Sequence, residues 1–252
     1  MKISVITACY NSGETLAATL DSVSSQTFAG LEHIVVDGGS TDNTLDIIRA
    51  HGKRVTKLLS GPDAGIYDAL NKGIQAASGD LVGIMHSDDL YSDPSVLEKV
   101  AQFMATAGTD SCYGDLVYVE RQDISKISRY WRSGSFNAER FRYGWMPPHP
   151  AFFLKREVYS KYGLYDLSFP LASDYELMLR MLYRHRVSCA YLPEVLVKMR
   201  CGGASGYGLA NTPRMLFENY RAWRSNGLPV NPLTFALKPL RKLSQFVMPP
   251  AV

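Results

Sequence analysis

Hydroxyl, amide and carboxylate side chains recur just after short apolar runs in the first ninety residues of this 252-residue chain. Thr7, Ala8, Tyr10 and Asn11 close the run that starts at Ile3, and Asp37-Gly38-Gly39-Ser40-Thr41-Asp42 closes the next. Gly61-Pro62-Asp63-Ala64-Gly65 follows Val55 to Ser60, and His86-Ser87-Asp88-Asp89 ends the run from Leu81. Oxygen donors of this kind suit Mg2+ or Mn2+, which take one or two carboxylates and complete their shell with substrate phosphates. The pair Asp88-Asp89 therefore reads either as a cation site or as a solvated turn. Asp42 reads as a turn or helix cap, whereas Asp37 ends an apolar run, where a cap is less needed. Further on, Ser173-Asp174 opens a helical pattern, where Asp174 would serve as an N-cap. His149 lies between two prolines, and Arg200 precedes Gly202-Gly203-Ala204-Ser205.

These groups need a frame that delivers them to one edge. Runs rich in β-branched residues alternate with helical patterns, which predicts a parallel sheet with crossover helices. Strands are expected at Ile3 to Ala8, His33 to Asp37, Val55 to Ser60 and Leu81 to His86. Helices are expected at Glu14 to Ser25, Thr44 to His51 and Gly65 to Ala77, the last with Ile66, Leu70, Ile74 and Ala77 on one face. Ser92 or Asp93 would cap a further helix, Ser95 to Ala107, with Pro94 in its first turn. Beyond Ser111 the rhythm changes. Cys112 to Val119 and Ile124 to Trp131 read as antiparallel strands, Ala151 to Leu154 as a strand, and Arg156 to Tyr162 and Ser173 to Tyr183 as helices. Ser188 to Met199 reads as a strand. Ligands of open α/β sheets bind outside the carboxyl ends of the strands, so four consecutive strands would bring their polar residues to one crevice.

Composition agrees with a globular α/β chain: 46% of residues are hydrophobic, 20% are charged and the net charge is +3. Residues 198 to 252 hold eight Lys/Arg against one acid, so a basic end follows an acidic body. Cys9, Cys112, Cys189 and Cys201 show no metal-ligand spacing and read as reduced thiols in a cytoplasmic protein. Ile3 to Cys9 is too short for a signal sequence and is better explained as a buried first strand. No segment approaches the roughly 20 apolar residues of a membrane span, so the expectation is a soluble or surface-bound protein.

The runs Ser4 to Asn11, Val35 to Asp42, Asp63-Ala64-Gly65-Ile66-Tyr67-Asp68-Ala69-Leu70-Asn71-Lys72-Gly73, Ser87-Asp88-Asp89 and Ser173 to Arg180, taken in order, resemble the family 2 glycosyltransferases of GT-A fold. Bacterial enzymes of colanic acid, exopolysaccharide and O-antigen assembly are the most similar members. The likeness covers residues 3 to 205, and chance agreement of five ordered motifs is very small. It implies an α/β GT-A, Rossmann-like fold with a mostly parallel sheet, flanking helices and a small antiparallel acceptor-side region. Residues 1–210 would form the transferase domain, with a nucleotide-sugar half at 1–110 and an acceptor half at 111–210. A basic amphipathic helical extension would occupy 211–252.

The resemblance also implies roles. Asp37 would bond the nucleobase, with Thr7, Ala8 and Tyr10 as pocket wall. Asp63 and Lys72 would lie near the base and phosphates, and Asp88 would reach the ribose or sugar. Asp89 would hold Mn2+ or Mg2+ on the diphosphate, where a Lewis acid stabilises the leaving oxygen. His149 would sit near the diphosphate or acceptor and join Asp89 as a metal ligand, unless it makes only ordinary loop hydrogen bonds. Arg200 and the loop from Gly202 would close on the phosphates, unless they are a plain strand end and turn. Asp174 would be the general base that takes the proton of an acceptor hydroxyl and gives inversion. Trp131, Phe136, Tyr143 and Trp145 either stack on an acceptor sugar or pack the core.

The expected partners are a nucleotide-diphosphate-sugar donor and a glycan or lipid-linked acceptor. Met215 to Trp223 reads as an amphipathic helix. Residues 230–252 interleave Phe235, Leu237, Leu240, Leu243, Phe246 and Val247 with Lys238, Arg241 and Lys242. That segment either lies on an anionic membrane at the inner face of the cytoplasmic membrane or packs on its own chain. Nucleic acid is not expected, because no recognition motif accompanies the charge. Two other readings stay open: a sugar-phosphate nucleotidyltransferase, although its basic Gly-rich loop is missing after the first strand, and a non-catalytic nucleotide- or glycan-binding protein.

Overall fold

The first strand, β1 (Ile3–Cys9), is buried along its whole length, and its side chains feed two cores in alternation. Ile6 and Ala8 enter one apolar cluster, Ile3 and Val5 the other. Period-two alternation does this in any strand covered on both faces. A computed structural model describes residues 1–202, 208–230 and 234.

The elements follow the expected order closely. After β1 come α1 (Leu16–Ser24), β2 (Leu31–Asp37), α2 (Thr44–His51), β3 (Val55–Ser60), α3 (Ile66–Ala76) and β4 (Leu81–Ile84). Then follow β5 (Leu90–Tyr91), α4 (Val96–Ala107), β6 (Ser111–Val119) and β7 (Ile127–Trp131). Two 3-10 turns, Ala138–Tyr143 and His149–Ala151, lead to β8 (Phe152–Lys155), α5 (Arg156–Tyr162), α6 (Ser173–Met178), β9 (Cys189–Arg200) and α7 (Gly208–Ser225).

Among the described residues nine strands form one sheet in the order β3-β2-β1-β4-β8-β6-β9-β5, with β7 also on β6. The pairs β1·β2, β1·β4 and β2·β3 are parallel, while β4·β8, β6·β8, β6·β7 and β5·β9 are antiparallel. Thus the first half is the expected parallel frame. Beyond β4 the sheet is mixed, because β9 returns parallel to β6 over Ser111 to Val119. Gly73 explains how closely α3 lies on β1: a Cβ there would come 2.4 Å from Ile6 Cγ2.

Four local expectations change. Pro94 does not begin α4; Asp93 instead folds back on Ser95, accepting from its N–H at 2.8 Å, and the helix starts at Val96. Ile66, placed on the buried face of α3, is 43% exposed at the helix start. The helix from Ser173 is α-helical only to Met178 and continues as a π-helical turn, Leu179–Arg184. The boundary at residue 210 falls inside α7, whose Ala222 and Trp223 are 0% and 1% exposed in the same core as Tyr175 of α6. The stretch Met215 to Trp223 is therefore a helix packed on its own chain. Gly203 to Ser205 and, apart from Val230 and Thr234, the basic segment 230–252 lie outside the described residues.

Candidate active site

The strand ends on the carboxyl side of β1 to β4 are laced to one another. Asn11, at φ 47°, donates its N–H to Ser40 Oγ at 2.8 Å, and its Oδ1 accepts from Thr41 N–H at 2.9 Å. Asn is among the few residues that tolerate this left-handed backbone. Ser12 Oγ lies 3.0 Å from Ser87 Oγ, and Thr15 Oγ1 donates to the Ser87 carbonyl at 2.9 Å. Gly38 meets the Asp63 carboxylate, since a Cβ there would stand 2.5 Å from Oδ2. Lys72 Nζ holds the Pro62 carbonyl at 3.0 Å and pairs with Asp68 at 3.0 Å. The loops after β1, β2, β3 and β4 thereby form one rim.

Within that rim the two adjacent acids differ sharply. Asp88 is half-buried, whereas Asp89 is 0% exposed. Asp89 Oδ1 accepts from Arg200 N–H at 3.3 Å, and its Oδ2 is buried without a hydrogen-bond partner. Burial, and then the charge of Asp88, pushes its pKa well above the usual carboxylate range. Arg200, at the end of β9, donates through Nη1 to the Asp88 carbonyl at 2.9 Å. It therefore fixes the acidic turn from behind.

Asp174, at the start of α6, accepts from the Tyr67 hydroxyl at 3.3 Å and from Tyr175 N–H at 2.7 Å. Tyr67 of α3 stacks on Tyr165, ring centroids 5.5 Å apart, and the Tyr165 hydroxyl bonds His149 Nε2 at 2.7 Å. His149 in turn lies 5.5 Å from the His86 ring. Burial lowers the pKa of His149 to about 4 and also lowers that of His86, so both rings are neutral near pH 7. The charges of Asp88 and Asp174 both reach His86 and oppose that lowering. One histidine therefore stands in the field of both the strand-end acid and the helix-start acid.

Several expected contacts are made otherwise. Thr7 is 0% exposed and pairs its Oγ1 with His33 Nε2 at 3.0 Å, so it backs the rim rather than walling a pocket. Asp37 is equally sealed: its carboxylate accepts from Gly39 and Ser40 N–H groups and from Ser60 Oγ at 2.7 Å. It shapes the loop that was to receive the base, the turn role weighed against it. Asp42 accepts from Thr44 and Gly13 N–H groups, as a cap does. Ala8 is 5% exposed beneath the rim, and Tyr10, at 61%, is open on it. His149 is not placed as a metal ligand: its Nε2 is engaged by Tyr165, and among the described residues no three His, Cys, Asp or Glu side chains are grouped to hold a metal. Trp145 and Phe136 pack with Tyr113 in the aromatic core, while Tyr143 is 47% exposed. Sequence reasoning missed Tyr165 and gave His86 and Tyr67 no role; Tyr67 was visible inside the Gly65 to Gly73 block, but Tyr165 has no local signal.

The carboxylates present fit a divalent cation in one way. An accessible Asp88 backed by a buried acid with an unpaired oxygen is a two-carboxylate donor set, which Mg2+ or Mn2+ completes with phosphate oxygens and water.

A parallel half-sheet whose strand ends carry the acidic rim, joined to a mixed half that carries a second acid, is the GT-A architecture. The S. aureus TarS 1–349 fragment superposes with a TM-score of 0.71 at 19% identity, covering 98% of this chain and 71% of that one. A mannosyltransferase of Pyrobaculum calidifontis, PcManGT, gives 0.67 at 18% identity, covering 96% and 69%. Residues 4–163 match the profile of glycosyl transferase family 2, and the chain belongs to that family. It is 35% identical over 180 residues to an uncharacterized glycosyltransferase of Mycobacterium tuberculosis, a span of 71% of this chain and 68% of that protein. It is 28% identical over 184 residues to WfaP of Escherichia coli, a UDP-Glc:alpha-D-GlcNAc-diphosphoundecaprenol beta-1,3-glucosyltransferase, covering 71% and 70%.

Proposed function

We propose that this transferase moves a sugar, with inversion, from a nucleoside diphosphate sugar to a hydroxyl of a lipid-linked glycan in bacterial surface polysaccharide assembly. The observation that carries the reading is the chain of contacts from His86, two residues before Asp88, through His149, Tyr165 and Tyr67 to Asp174. Two carboxylates, one at a strand end and one at a helix start, suit opposite ends of a displacement, the leaving diphosphate and the incoming hydroxyl. TarS has been solved with UDP and with UDP-GlcNAc, and PcManGT with GDP-Man and Mn2+, which supports a nucleotide-sugar donor here. WfaP acts on a diphosphoundecaprenol-linked sugar, which supports the acceptor class.

In this mechanism Asp174 accepts the acceptor proton as that oxygen attacks the anomeric carbon. Tyr10 and Ala8 line the base side of the rim, Asp37 and Thr7 order it from beneath, and Asp63 and Lys72 set the loop that borders the phosphates. Asp88, with Asp89 behind it, would hold a divalent cation, which when bound supplies a Lewis acid to the departing diphosphate. Arg200 keeps that acidic turn in place. Among the described residues no helix is long and apolar enough to cross a membrane, so a lipid-linked acceptor would be met at the surface.

The test is a panel of UDP-, GDP- and dTDP-sugars with Mn2+ in thermal-shift binding, followed by transfer to a diphosphate-lipid-linked GlcNAc. Asp174→Asn should bind donor as the parent does and lose 10²–10⁴-fold in transfer, the usual range for a general base. Transfer at the parent rate in that variant rejects the base. Donor stabilisation without transfer to any hydroxyl acceptor favours a binding protein on the same fold.

A further inference from the structure

We infer that Tyr67 and Glu218 are positioning residues that clamp the backbone before Asp174, an inference that rests on Asp174 being the base. Neither the helix cap nor the preceding residue supplies a polar side chain, since these are Ala172 and Leu171. Two other helices supply it instead. From α7, Glu218 Oε2 accepts from Leu171 N–H at 2.8 Å and from Ala172 N–H at 2.9 Å. From α3, the Tyr67 hydroxyl lies 3.4 Å from the Leu171 carbonyl and 3.3 Å from Asp174 Oδ1. Leu171 is thus held through its N–H by one helix, while its carbonyl faces the hydroxyl of another.

The clamp is built of immobile parts. Glu218 is 2% exposed, and burying a carboxylate is costly unless its oxygens are satisfied, here by the two backbone donors and by Arg214 at 3.6 Å. Trp223 Nε1 bonds the Tyr175 hydroxyl at 2.9 Å and Asn226 Nδ2, just past α7, bonds Glu176 Oε1 at 3.0 Å, so the end of α7 is fastened to the first turn of α6. The Tyr67 ring is fixed by stacking on Tyr165. Burial, and then the negative charge of Asp174, keeps the Tyr67 phenol protonated, so it serves as a donor. Tyr67 therefore sets the direction in which Asp174 points.

Hydrogen exchange and kinetics on the full chain test this. In Tyr67→Phe and Glu218→Ala, the amides of Leu171, Ala172 and Tyr175 should exchange at least tenfold faster, with global melting little changed. Glu218→Gln, which keeps an accepting oxygen, should restore most of the protection. With UDP-glucose and UDP-GlcNAc as donor probes, Tyr67→Phe should lower kcat 5- to 20-fold at constant donor KM. Wild-type exchange at these amides in both variants overturns the clamp, as does an unchanged kcat in Tyr67→Phe. The exchange measurement does not depend on transfer, so retained activity in Asp174→Asn would reject the base assignment while leaving the clamp to be judged on its own.

Discussion

Gly38 and Asp63, from loops that follow different strands, touch so closely that no side chain fits between them: a Cβ on Gly38 would stand 2.5 Å from Asp63 Oδ2. Asp63 is otherwise occupied in its own loop, its Oδ1 accepting from Gly65 N–H at 2.8 Å. Gly38→Ala should push the carboxylate aside and break that turn bond. The obstacle is the end of a side chain, so the stability cost should stay near 1 kcal/mol. Donor binding should weaken more visibly, about tenfold, in a titration of the nucleotide sugar. Unchanged affinity would show that the Asp63 loop does not border the donor.

Gly73 gives the opposite sign from the usual helix rule. Replacing a helix glycine by alanine ordinarily stabilises by about 1 kcal/mol. Here the new methyl would meet Ile6 Cγ2 at 2.4 Å in the α3–β1 interface. Gly73→Ala should destabilise by about 1–3 kcal/mol in urea unfolding, the range for overpacking a filled core.

Glu32, on β2 far from the rim, is held by Ser4 Oγ at 2.5 Å, Ser78 N–H at 2.8 Å, Ser78 Oγ at 2.7 Å and Lys2 at 3.1 Å. Burial alone would raise its pKa, but these donors more than offset it and hold the carboxyl well below the usual range. A carboxylate lowered in the fold stabilises fully above its unfolded pKa and stops doing so as pH falls toward the folded value. Glu32→Ala should cost about 2–4 kcal/mol at pH 7 by leaving the Ser4 and Ser78 groups unpaired. Its stability should also fall less steeply than the parent's below about pH 4.5.

His149 produces a loss at higher pH. Its folded pKa of about 4 lies below the ordinary 6.5, so unfolding takes up a proton between those values and stability declines as pH drops through that window. The loss should reach on the order of 3 kcal/mol by pH 4. His33, pushed down to about 3 by burial and Arg54, extends the decline. His149→Asn should flatten the part of the curve between pH 6.5 and 4 in guanidinium titrations, while His33 keeps a residual slope.

The parallel half of the fold was legible because each strand there is a short β-branched run ended by turn residues, and the helices between are periodic. Thr44–His51 and Val55–Ser60 agree with expectation at both ends. The mixed half was less so: β9 reaches β6 by parallel pairing across some eighty residues, and nothing local in Ser188 to Met199 encodes its partner. For the site, sequence identified which residues gather but not which way they face. Thr7 and Asp37 share their motifs with exposed Tyr10 and half-buried Ser40, and only strand alternation and burial decide that the first two turn inward. Glu218 was unreadable for another reason, since a lone acid in a basic stretch gives no sign that it serves a loop 46 residues upstream.

The pairing of β5 with β9 bears on the order in which the protein can be completed on the ribosome. Leu90 and Tyr91 join Lys198 and Val197, and Asp88 and Asp89 are fastened by Arg200. At about 5–20 residues per second, the acidic turn emerges several seconds before the strand that secures it. Until then the nascent chain has the parallel frame but an unanchored Asp88-Asp89 turn. Chains released before β9 should accordingly show native-like helices but an Asp88-Asp89 turn whose amides exchange freely.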